Sequence, residues 1–153
     1  SGTGSVAIEM ALQAAKGSIW GIEKDSAAVT LSRENAARLG VSNVTFIHGT
    51  APGSLEDLPT PTHVFIGGSS GNMEEIIQNL FARKTDIRIT ATAVTLDSIA
   101  ELNGILDRYP FAETEVVMVQ TAKARKAGAH RLMTGGNPVY IFAMRITGED
   151  LSC

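Results

Sequence analysis

Two glycines and a carboxylate, spaced as a ligand-binding loop would space them, open the chain. Ser1-Gly2-Thr3-Gly4-Ser5 sets two glycines around a small polar residue, and an apolar helical pattern follows at once in Val6, Ile8, Met10, Ala11, Leu12 and Ala15. Glycine at such a bend lets the backbone come close to a ligand, because no Cβ intervenes. A helix starting there turns its unpaired N–H groups and the positive end of its dipole toward the bend. That suits a nucleotide-like or carboxylate-bearing ligand; a glycine turn before an ordinary helix is the plain alternative. Glu23 stands about 20 residues past the loop, where nucleotide-binding α/β folds hold the two hydroxyls of a ribose. Its plain alternative is a solvated acid at a strand end.

The spacing Gly2-x-Gly4-x-x-Ala7 does not choose a cofactor. It is compatible with a dinucleotide fingerprint, whose last glycine can be alanine, and equally with the glycine loop of S-adenosylmethionine (SAM) methyltransferases. Gly49-Thr50-Ala51 follows a strand, and small residues there leave room for a flat ring. Gly67-Gly68-Ser69-Ser70-Gly71 holds more glycine than a turn needs, and the expected use is close approach of substrate to cofactor. Methyl transfer needs mainly alignment, so a shaped backbone can serve better than a reactive side chain.

Lys123, Arg125, Lys126, His130 and Arg131 crowd into one short stretch of a chain whose net charge is −3. They are either a solvated run or the means of recognising a polyanionic substrate through carboxylate pairs. His48, His63 and His130 lack the spacing of metal ligands. The sequence holds no phosphate-binding Gly-Lys-Ser/Thr loop. No side chain stands out as catalytic acid or base, and none as a metal ligand. Asn137-Pro138-Val139-Tyr140 resembles the Asn-Pro-Pro-Tyr motif of amino-methylating enzymes but opens a strand, and is read as a strand start.

The elements that must position these residues alternate along the chain. The pattern predicts helices over Ser5–Ala15, from Asp25 or Ser26 to Leu39, over Met73–Ala82 behind an Asn72 cap, and from Thr95 or Asp97 to Leu106. It predicts strands over Ser18–Ile22, Val44–Ile47, His63–Ile66, Ile87–Val94, Glu115–Thr121 and Pro138–Ile146. Ala122–Gly136 is expected to be a basic loop and Glu56–Thr62 a surface connection. Repeated strand–helix units imply a parallel sheet covered on both faces, and the last two strands, with no helix between them, an antiparallel pair at its edge. A glycine loop of this kind should follow a strand, and none precedes it. The chain is therefore expected to begin inside the motif, with a first strand upstream.

Length and composition fit a single domain over residues 1–153, with enough apolar residues (44%) for a real core. No run approaches the ~20 apolar residues of a membrane span. The only cysteine, Cys153, excludes an internal disulfide and fits a reducing, cytoplasmic compartment; it reads as an inert thiol. The acidic balance and 5% aromatic content argue against a nucleic-acid partner.

Three stretches carry a resemblance: Ser1 to Glu9, Gly21-Ile22-Glu23-Lys24-Asp25, and Val64-Phe65-Ile66-Gly67-Gly68-Ser69-Ser70-Gly71. With Ala93–Leu106, Lys123–Gly136 and Pro138–Phe142 they make the chain resemble the decarboxylating precorrin C15-methyltransferases of cobalamin biosynthesis. The Phe-Ile-Gly-Gly-Ser stretch is the more specific part, since the first motif is common to all such methyltransferases. The resemblance implies a class I SAM-dependent methyltransferase fold, mostly parallel with an antiparallel last strand. It also implies SAM as cofactor, a precorrin tetrapyrrole as substrate and a homotetramer. By position, Ser1, Gly2, Thr3 and Gly4 would line the methionine part of SAM. Glu23, with Lys24 beside it, would hold the ribose, and Gly49, Thr50 and Ala51 would lie near the adenine. Gly67, Gly68 and Ser69 would face the transferring methyl and the substrate, and Arg125 and Arg131 would meet the substrate's acetate and propionate groups. The competing readings are another SAM methyltransferase acting on RNA or protein, a nicotinamide dehydrogenase, and a non-catalytic tetrapyrrole-binding protein.

Overall fold

The computed structural model describes residues 2–68 and 71–148. Four residues named above, Ser1, Ser69, Ser70 and Cys153, lie outside them. The chain divides into two compact units, Ser1–Pro59 and Thr60–Cys153.

In the first unit the order is α1 (Ser5–Gln13), β1 (Ile19–Glu23), α2 (Ser26–Arg38), β2 (Val44–His48) and a short 3-10 turn at Gly53–Leu55. β1 and β2 pair in parallel, from Ile19 opposite Val44 to Glu23 opposite His48, so their carboxyl ends are level. Ala7, Ile8, Val29, Ala36 and Phe46 form the core, with Ile19, Val41 and Val44 packed on it. Asp25 starts α2 as the sequence leads one to expect, its side chain accepting the Ala27 N–H at 2.8 Å. α1 stops at Gln13, earlier than the expected Ala15. The Asn43 side-chain nitrogen lies within 3.1 Å of the carbonyls of Ala11, Ala14 and Gly17 and takes up the acceptors the helix end leaves open.

The second unit runs β3 (His63–Ile66), α3 (Met73–Ala82), β4 (Ile87–Ala93), α4 (Leu96–Arg108), β5 (Glu113–Val119), β6 (Ala122–Ala127), β7 (His130–Gly135) and β8 (Val139–Ile146). Its main sheet has the order β3-β4-β8-β5. β3 is parallel to β4, and β8 runs antiparallel to both β4 and β5. The expected antiparallel pair is thus present, with β5 outermost. Ile87, Ile89, Ala91 and Ala93 of β4 and Phe142, Met144 and Ile146 of β8 are buried, as are Leu102 and Ile105 of α4. Thr95 caps α4, its hydroxyl accepting the Ser98 N–H.

α3 and α4 are tied at one end by Glu74. Arg108 grips it with two hydrogen bonds of 3.3 and 2.9 Å, and the Tyr109 hydroxyl donates to it at 3.2 Å. Phe81 stacks against Tyr109 and tilts against Phe111.

The expected basic loop at Ala122–Gly136 is instead a two-stranded ribbon. β6 and β7 pair antiparallel from Ala122 opposite Gly135 to Ala127 opposite His130. Alanine, lysine and arginine are poor strand formers, so composition hides the strand. The signal that was there is the turn: Gly128, at φ +59, holds the first position of a two-residue connection, where a type II′ hairpin needs glycine.

Candidate functional site

The glycine loop is anchored from three sides. Glu23 Oε2 accepts the Gly2 N–H at 2.7 Å. Ser32 Oγ lies 3.0 Å from the Gly2 carbonyl and 2.8 Å from that of Ala28, and its proton serves both. Asn35 donates to the Thr3 carbonyl at 3.0 Å. Both glycines have positive φ, +56 at Gly2 and +79 at Gly4. They nevertheless do different work. A Cβ on Gly4 would sit 2.8 Å from Ser32 Cβ and 2.9 Å from the Phe46 ring, so Gly4 is needed for packing. A Cβ on Gly2 would meet nothing within 4 Å. Ligand approach, expected of both, is therefore open at Gly2 alone.

α1 springs from this loop. Its first internal bond runs from the Ile8 N–H to the Gly4 carbonyl at 2.9 Å, and no described side chain caps it. The leading amides and the positive end of the helix dipole thus lie at this loop.

Glu23 closes the site from β1. Its second oxygen accepts the Asp25 N–H at 3.1 Å. The amides of Gly2 and Asp25 hold the carboxyl below its ordinary range, against the opposing effect of partial burial. It is an anion at neutral pH. The ends of the two strands are stitched together. Gly49 N–H donates to the Glu23 carbonyl at 3.0 Å, and the His48 ring nitrogen lies 3.0 Å from the Lys24 carbonyl. Ser54 Oγ occupies the place where a Gly49 side chain would be, which gives this glycine a packing reason of its own.

Of the residues expected to bind cofactor, Gly2, Thr3, Gly4, Glu23, Lys24, Gly49, Thr50 and Ala51 share one end of the first unit. Ser32 and Asn35 were missed. They sit on α2 as ordinary small polar residues, and the available signal was the spacing of Val29, Ser32 and Ala36, which puts a serine on the buried face.

Gly67 and Gly68 belong to the second unit, directly after β3, and both are exposed. A Cβ on Gly68 would meet nothing within 4 Å, and one on Gly67 only the Phe65 ring, at 3.1 Å. Asn72 is the residue before α3 as expected, though its side chain does not bond the helix amides. Arg125 and Arg131, expected to meet one substrate together, are parted by the ribbon. Arg125 pairs with Leu132, and Arg131 with Lys126. Side chains alternate along a strand and cross-strand partners share a face, so the two arginines point to opposite faces.

Comparison with known proteins gives this geometry a family. The model of the precorrin methyltransferase domain matches residues 1–146, across both units. A probable cobalt-precorrin-6B C(15)-methyltransferase (decarboxylating) from Sulfurisphaera tokodaii is 33% identical over 92% of this chain and 74% of its own length. One of the same name from Pyrobaculum calidifontis is 34% identical over 92% of this chain and 72% of its own. The crystal structure of a precorrin-6y C5,15-methyltransferase from Geobacter metallireducens superposes with a TM-score of 0.84 at 35% identity, covering 94% of this chain and 76% of that one. The chain belongs to the precorrin methyltransferase family and has its class I SAM-dependent methyltransferase fold.

Proposed function

We propose that this enzyme transfers a methyl group from SAM to carbon 15 of a precorrin or cobalt-precorrin and removes the carboxyl of the carbon-12 acetate, within cobalamin biosynthesis. The observation that carries the reading is the 2.7 Å bond joining the Gly2 amide to Glu23, beside the uncapped start of α1, in a chain matched to the family over residues 1–146.

The residues present fit the cofactor. Open space at Gly2 admits a bulky group against the backbone. The leading amides of α1 suit the carboxylate of its methionine part, and an ionised Glu23 suits the two hydroxyls of a ribose. Thr3 and Gly4 complete the methionine side, Lys24 adjoins the ribose, and Gly49, Thr50 and Ala51 line the adenine side. SAM supplies an electrophilic methyl on a positively charged sulfur. Ser32 and Asn35 hold the loop carbonyls, so that the amides keep one direction. In the second unit Gly67 and Gly68, bare of side chains, leave room for a broad acceptor. For the decarboxylation the protein supplies position and a proton, since the ring can itself delocalise the electrons.

The homologues named above support a tetrapyrrole as partner. The further partner we propose is three more copies of this chain. β5 is a seven-residue edge strand whose Val116, Val117, Met118 and Val119 are 43–50% exposed, and the ribbon adds exposed Leu132 on the face opposite Lys126 and Arg131. An apolar edge of that length is a template for pairing unless it is covered. We place the protein in the cytoplasm, as one methyltransferase domain; no described helix is long and apolar enough to cross a membrane. Two measurements test the reading. Adenosylhomocysteine should raise the melting temperature where NAD does not. Labelled SAM should pass its methyl to a precorrin-6B pool with loss of carbon dioxide. Substituting in turn each Asp, Glu and His near the cleft, the cofactor-binding Glu23 aside, should leave decarboxylation intact; one change that abolished it while sparing methylation would identify an acid or base and overturn that part.

A further inference from the structure

The second unit contains two pairs of cations set directly opposite each other across neighbouring strands. Arg88 faces Arg145 between β4 and β8, and Lys126 faces Arg131 between β6 and β7. Like charges so placed repel. At the first pair the chain supplies carboxylates of its own. Arg145 bonds Glu113 at 2.9 Å and Asp86 at 3.4 Å. The Gly148 amide, Arg145 and the charge of Arg88 together hold the Asp86 carboxyl below its ordinary range. At the second pair no described carboxylate lies within ion-pair distance of either cation.

The face that carries Lys126 and Arg131 has a second property. Ala122, Ala124, Met133 and Gly135 are its other residues. Three of them are small and one is apolar and adaptable, so the cations rise at one end of a low, apolar floor. The opposite face is different. There Lys123 stands against Thr134 and Arg125 against Leu132, and no two cations meet.

We propose that Lys126 and Arg131 clamp one carboxylate of the tetrapyrrole substrate between them, while its ring lies along the Ala124–Met133 floor of the same ribbon face. This rests on the function proposed above. Two directly opposed donors can each take one oxygen of a carboxylate, and a guanidinium suits that geometry. The bound anion cancels their mutual repulsion, as Asp86 and Glu113 do at the other pair.

The test is methyl-transfer kinetics on precorrin-6B at saturating SAM, with association state followed by sedimentation. Lys126→Ala and Arg131→Ala should each raise the KM for the tetrapyrrole about tenfold, as expected for loss of a charge-assisted bond, and leave the KM for SAM unchanged. The double variant should be little worse than either single one, because both serve one carboxylate. Lys123→Ala, on the other face, should change the KM less than about twofold. Equal effects from the two faces, or none from Lys126 and Arg131 in a protein that turns over, would overturn the clamp and leave the function standing. So would a changed association state with an unchanged KM, which would give the pair to an interface between copies. A wild-type protein that binds adenosylhomocysteine yet neither binds nor methylates the tetrapyrrole would overturn both.

Discussion

At the scale of single residues, the two glycines of the loop make opposite predictions. Gly4→Ala forces a left-handed φ and a clash with Ser32 and Phe46, and should cost about 2–3 kcal/mol of stability, read as a lower melting temperature. Gly2→Ala meets open space and should cost about 1 kcal/mol, the left-handed penalty alone, while weakening adenosylhomocysteine binding more than its own stability loss explains. Glu23→Gln should reduce that affinity at least about tenfold by calorimetry, since it removes the charge and one acceptor. The pH dependence follows from the same group. The amides of Gly2 and Asp25 hold its carboxyl below the ordinary 4.5, so its stabilising contribution is fully present above 4.5 and is lost as pH falls through the lowered value. Sequence pattern alone could find Gly2, Gly4 and Glu23, because motif spacing is local. It could not separate the glycines' duties, nor find Ser32 and Asn35, because those depend on how α2 lies against the loop.

At the scale of elements, the strand–helix alternation was legible wherever apolar periodicity or a cap marked it, as at α2 behind Asp25 and β4 with its alternating isoleucines. Boundaries moved where a distant side chain decided them: Asn43 ends α1 early. The ribbon was marked only by its Gly128 turn, since cations and alanines carry no strand signal and β7 mixes polar with apolar residues without regular alternation. The tie between α3 and α4 was equally invisible, for Glu74 and Arg108 lie far apart in sequence. Both side chains are about half exposed, 44% and 51%. Arg108→Ala should therefore cost only about 0.5–1 kcal/mol, and less in high salt. A loss several times larger would mean that the aromatic stack of Phe81, Tyr109 and Phe111 depends on that ion pair.

At the scale of the whole molecule, fold and family were legible because the motifs sit at the ends of strands whose order a class I methyltransferase fixes. The assembly rests on a surface property. Val117→Glu and Met118→Glu on β5 should shift a tetramer toward smaller species in sedimentation equilibrium, with SAM affinity retained. The claim beneath all of this is that the Gly2–Glu23 end of the first unit serves methyl transfer to an acidic tetrapyrrole. The most direct measurement is single-turnover transfer from methyl-labelled SAM to precorrin-6B, wild type beside Glu23→Ala. The account predicts label on the tetrapyrrole with release of carbon dioxide for wild type, and a loss of transfer in the variant that excess SAM restores in part. A wild-type protein that leaves the tetrapyrrole unlabelled, or a Glu23→Ala variant that matches wild type at limiting SAM, would contradict it.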